Sequence, residues 1–175
     1  MKSFAALTIV LALSSPALAQ STTEKTGINS LVGAAPKTAD FVVEAATSDM
    51  FEIESSKLAV ERSDAPTKAF AQQMITDHEK TTADIKQLVS SGKVQASLPS
   101  AMTSSQQKML DKLKGLNGTD FTKQYHSDQV SAHKDAVDLF KRYGNKGDNA
   151  DLKTWASTTE PALEHHLKMA QDLNK

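Results

Sequence analysis

The chain has 175 residues, with 20 Lys and Arg against 21 Asp and Glu, and no Cys. Charges of both signs are interspersed, which leaves no basic patch to hold a nucleic-acid backbone, so nucleic acid is not expected as a partner. Without Cys there is no disulfide, thiolate site or thiol catalysis, and any chemistry falls to His, carboxylates, Tyr and Met.

Lys2, the apolar run Phe4 to Leu13, and Ala17-Leu18-Ala19 before Gln20 follow the order of a secretory signal peptide. Residues 1–19 are therefore expected to be removed on export to the periplasm or beyond. The run is shorter than the roughly 20 residues that span a bilayer, and no second apolar stretch follows, so no integral membrane segment is expected after cleavage. Residues 20–37 are rich in Ser, Thr, Gly and Ala and read as a flexible leader.

From Thr38 onward the apolar residues recur at helical spacing, and no run has the alternation of a strand. A first helix is expected over about 38–63, carrying Phe41, Ala45, Ile53 and Val60. Asp64 and Pro66 suit the first turn of a second helix, which runs through Phe70, Met74, Ile75, Ile85 and Leu88 to Gly92. Thr103 and Gln106 have the spacing of a capping box ahead of a shorter helix with Met109, Leu110, Leu113 and Leu116. Asn117-Gly118 ends it, and Thr119 or Asp120 is placed to cap a long helix over about 121–143. Residues 144–148 read as a polar loop. The last segment, about 149–174, carries Leu152, Trp155, Leu163 and Leu167, with a kink or break expected at Pro161. The pattern predicts an all-α domain over 38–175, an antiparallel four-helix bundle with a short extra helix between the second and third long helices.

Three of the five His fall on apolar stripes of different long helices. His78 follows Met74 by four residues and Ile75 by three; His133 follows Val130 by three and precedes Val137 by four; His166 follows Leu163 by three and precedes Ala170 by four. On the first helix Glu52 lies seven residues from both Ala45 and Ala59, with the small Ser48 and Ser56 one turn away. Glu54, near Lys57 and Glu61, falls on a solvated face. Neutral imidazoles and a carboxylate suit one Zn²⁺, Cu²⁺ or Fe²⁺ ion, so Glu52, His78, His133 and His166 are the candidate metal ligands. The alternative is a metal-free structural or stress-related interaction protein whose inward His are hydrogen-bonded core residues.

His165 points about 100° away from His166 and is read as surface. His126 is placed on the surface as well, and Asp77 is read as a solvated charge unless it orients a His of a neighbouring helix. Tyr125 lies near the face of His133, where it either bonds a ligand or packs. No Glu-x-x-His pair, phosphate loop, His-Glu-x-x-His or Gly-x-Ser-x-Gly occurs, which disfavours a di-iron centre and leaves no legible base-nucleophile pair for an enzyme.

The segments Phe41-Val-Val-Glu-Ala-Ala, Phe51-Glu-Ile-Glu-Ser-Ser-Lys-Leu-Ala, Ala69-Phe-Ala-Gln-Gln-Met-Ile-Thr-Asp-His78, Phe121 with Tyr125 and His133, and Pro161-Ala-Leu-Glu-His-His166-Leu resemble, in order, the exported bacterial proteins grouped as domain of unknown function 4142. The resemblance implies a ferritin-like four-helix bundle. It also implies that Glu52, Asp77, His78, Tyr125, His133 and His166 occupy the family's polar positions, whereas His126 and His165 do not. The paired carboxylate motifs of ferritin are missing, so ferritin's iron chemistry is not implied.

Overall fold

The computed structural model describes residues 28–175. The expected signal peptide at 1–19 and the start of the expected leader lie outside the described residues. Among the described residues the fold is all-helical, without strands: α1 (Ile28–Leu31), α2 (Thr38–Arg62), α3 (Ala65–Ser90), α4 (Ser104–Gly115), α5 (Gly118–Lys146) and α6 (Ala150–Leu173).

Local sequence accounts for the starts of three helices. Asp64 caps α3 by accepting a hydrogen bond from the Thr67 amide, with Pro66 in the first turn. Thr103 and Gln106 form the reciprocal capping box of α4, and Asn149 caps α6 through the Leu152 amide. The start of α5 departs from expectation. Neither Thr119 nor Asp120 caps it; the helix begins at Gly118, whose φ of +55° only a glycine adopts without strain.

Two further expectations are corrected. Helix α5 runs on through Gly144 to Lys146, so the polar loop shrinks to a few residues. Glycine suits the close approach there, since a Cβ at Gly144 would stand 3.1 Å from the Ser157 backbone of α6. Helix α6 is continuous through Pro161. The proline is exposed on the helix surface. The hydroxyls of Ser157 and Thr158 bond carbonyls of the preceding turn, which loosens the helix just where the ring must fit.

Part of the segment read as leader is tied to α5. Ser30 Oγ donates to Asp138, Arg142 to the Ala34 carbonyl at 2.7 Å, and Lys146 to the Gly33 carbonyl.

Helix α2 packs on α3 and α5, and α6 packs on α5 and α3, so each long helix has two long neighbours. Two apolar clusters result. One gathers Phe41, Val42, Ile85, Phe140, Tyr143, Leu152 and Leu163; the other gathers Phe51, Phe70, Met74, Leu113, Phe121, Tyr125 and Ala170. Along α2 and α6 the chain passes from the first cluster to the second, and along α3 and α5 from the second to the first. Helices α3 and α5 therefore run the same way. The connection between them returns along the molecule, with Val94, Ala96 and Leu98 on the first cluster and α4 on the second.

Candidate metal centre

Between the two clusters, every long helix contributes buried polar side chains at the same level: Asp49 and Glu52 from α2, His78 from α3, Gln129 and His133 from α5, and His166 from α6. The spacing of the His to flanking apolar residues, seen in the sequence, is what turns them inward. One ring nitrogen from each of His78, His133 and His166 lies within 4.8 Å of the others. Three residues from three helices thus converge on one small volume.

Each ring is anchored at its other nitrogen. His78 Nδ1 lies 2.8 Å from Asp49 Oδ1, and Asp49 Oδ2 is held in turn by the hydroxyls of Thr81 and Thr82. His133 Nδ1 donates to the Gln129 carbonyl at 2.9 Å, and His166 Nε2 lies 2.9 Å from Asp77 Oδ2. These acceptors fix a proton on the anchored nitrogen and leave the other as a lone-pair donor. That is how metal-ligating imidazoles are usually oriented.

The remaining nitrogens, His78 Nε2, His133 Nε2 and His166 Nδ1, have no hydrogen-bond partner among the described residues, and neither has either oxygen of Glu52. Each such buried group costs about 1–3 kcal/mol of lost hydration. A shell of about 2.0–2.1 Å bonds to an ion would set neighbouring nitrogens a little over 3 Å apart, so the rings need only draw in by about an ångström to close on one.

The protonation states of His133 and His166 suit ligation. Burial, reinforced by the charge of His78, pushes His133 down to about 3, opposed by its bond to the Gln129 carbonyl. Burial and His78 likewise lower His166, against the pull of Asp77. His78 goes the other way: burial disfavours its charge, but the Asp49 hydrogen bond and the carboxylates of Asp49, Glu52 and Asp77 outweigh it and raise its pKa. Burial raises Glu52 to about 7, opposed by the charge of His78 and by the neighbouring Gln129 side chain. Gln129 does not reach hydrogen-bonding geometry with Glu52; its amide nitrogen bonds Ser55 Oγ at 3.3 Å.

All four sequence candidates are buried at this level, but the tight set is the three His. Glu52 approaches His133 at 4.0 Å, and does so at Nδ1, the nitrogen already engaged with Gln129. Tyr125 is buried one step away, its hydroxyl 2.8 Å from Ser56 Oγ. Glu54 is exposed and paired with Lys57, and His165 is exposed, as expected.

Two readings are corrected. His126 is buried rather than on the surface, with Nε2 2.9 Å from Thr67 Oγ1, because the first turn of α3 folds over it. Asp77 is not a free solvated charge but the anchor of His166. Asp49 went unrecognised in the sequence, although it sits three residues before Glu52 and seven before Ser56, on one helical face.

The fold and site together define an all-helical protein with a buried cluster of three imidazoles able to hold a metal ion. The chain belongs to the family described as Domain of unknown function (DUF4142), whose profile matches residues 23–173. No curated protein and no solved structure matches it.

Proposed function

We propose that this is an exported protein of ferritin-like, antiparallel four-helix-bundle architecture that binds one transition-metal ion, Zn²⁺, Cu²⁺ or Fe²⁺, on His78, His133 and His166, with Glu52 as the fourth ligand. The observation that carries the reading is the convergence of three buried imidazole nitrogens without protein partners, each on a ring whose other nitrogen is anchored. Imidazole suits these metals, and an ion's positive charge returns Glu52 to its carboxylate form. The bundle is supported by the pairing of the four long helices and by the single long return between α3 and α5, a connection ferritin-like folds share. Export is supported by the order of charge, apolar run and small residues over 1–19.

The metal-free alternative is supported by the Asp49–His78 and Asp77–His166 pairs, which would suffice for a polar core. It gives no account of the three remaining nitrogens. Native protein purified without an affinity tag should contain close to one equivalent of transition metal, and its intact mass should correspond to a chain beginning near Gln20. A metal-free preparation that takes up none on addition would refute the site. A mass that includes residues 1–19 would refute export.

A further inference from the structure

A cleft of about 380 Å³ lies between α3 and α6. Its lining includes His78 and His166 at the inner end, Trp155 and Leu163 along the wall, and Asp77, Lys80 and Asp84 on the α3 side. Two of the three clustered rings therefore line the floor of this cleft, with their unpartnered nitrogens buried just beneath it. His133 and Glu52, each 1% exposed, are not part of this lining and lie deeper. Two other clefts, one over Phe51 and Met109 and one beside Leu88 and Lys93, touch none of the clustered His.

The charge of the opening is suited to a cation. Asp77 and Asp84 are partly exposed, against a single Lys80 whose ammonium is 2.7 Å from Asp84. A cleft with an acidic excess and low-dielectric walls draws in cations and raises their association rate. The volume is many times the roughly 30 Å³ share of one water, so a hydrated ion fits and can shed its shell against Asp77 and the hydroxyls of Thr81, Thr158 and Thr159.

We propose that this cleft is the port through which a divalent transition-metal cation reaches and leaves the cluster, meeting His166 and His78 first and His133 and Glu52 last. The ion is then exchangeable, and the protein acts as a metal buffer or carrier rather than a scaffold closed around a permanent ion. This inference rests on the metal-binding reading of the same residues.

The test separates the two claims by measuring Zn²⁺ affinity at equilibrium and, by stopped flow, Zn²⁺ uptake and its loss to a chelator. Ala162 is exposed and lines the cleft one turn before His166, so Ala162→Trp narrows the port without removing a ligand. An obstruction on the path raises the barrier equally in both directions. Uptake and loss should both slow by about tenfold, with the dissociation constant unchanged. Asp84→Asn and Lys80→Gln should shift uptake in opposite directions, slower and faster, by roughly two- to fivefold at low ionic strength, with the difference fading in salt. Tight Zn²⁺ binding with uptake and loss unchanged in all three variants would overturn the port alone. Failure of the wild-type chain to bind Zn²⁺ would overturn the metal reading with it.

Discussion

The Phe41 cluster and the His78 layer occupy the same four helices, separated by one to three turns, and are built by opposite rules. Around Phe41, rings stack on Tyr143 at 4.2 Å and meet Phe140 at 5.0 Å, and the Tyr143 hydroxyl has Thr38 and Asp148 as partners. That region gains from burial and leaves little unsatisfied. At the His78 level, three imidazole nitrogens and two carboxylate oxygens are taken out of water with no protein partner. Apolar residues of the same volume generally make a core at least as stable. The contrast teaches that one end of the core is packed from apolar and satisfied groups, while the middle layer carries buried polar groups that packing alone does not require.

The largest effect expected from this contrast lies on the apolar side. Phe41→Ala should cost about 3–5 kcal/mol in chemical denaturation, and the loss should be the same with and without added Zn²⁺. A metal-dependent loss would break the separation between the two regions.

Glu52→Gln should do the reverse and stabilise the metal-free protein. With its folded pKa raised to about 7 from 4.5, Glu52 keeps a proton that the unfolded chain releases. Its contribution to stability therefore falls as pH rises between those values, and the penalty is fully developed above about 7. At about 1.4 kcal/mol per unit, the variant should gain about 3 kcal/mol at pH 8 and little below pH 4.5, read from urea unfolding curves. A gain that does not depend on pH would show that burial of the charge is not its cause.

Asp77→Asn weakens the anchor of His166, and Zn²⁺ affinity measured by competition titration should fall by roughly 10- to 100-fold. An unchanged affinity would mean that His166 needs no orientation. A smaller effect is expected from pH alone. Protons compete with metal at Glu52, raised to about 7 by burial, and at His78, whose pKa is raised by Asp49 and Glu52, so metal-induced stabilisation should weaken as pH falls through about 7. His133, held down to about 3, should not contribute to that loss.

Much of this was legible because it is local. The helix ends set by Asp64, Thr103 and Asn149 follow from side chains within three residues of the amides they bond. The inward direction of His78, His133 and His166 follows from spacing to apolar neighbours on the same helix. What escaped depends on contacts distant in sequence. Asp77 acquires its role from His166, 89 residues away, and His126 is buried by Thr67, 59 residues away. Asp49 escaped because a search for apolar periodicity passes over a polar residue whose partner is on another helix. At Pro161 the break is absent, because the residue's chemistry alone leaves open whether the helix stops or runs on through it.

The central claim is that the polar layer is a metal site, and the most direct test is thermal unfolding of metal-free wild-type, His133→Ala and His165→Ala proteins with and without Zn²⁺. An ion that binds only the folded state stabilises it by about 2.7 kcal/mol at a hundredfold excess over its dissociation constant. Wild type and His165→Ala should therefore show the same rise in Tm, reversed by chelator, and His133→Ala should show none. No rise in wild type, or equal rises in the two variants, would contradict the claim.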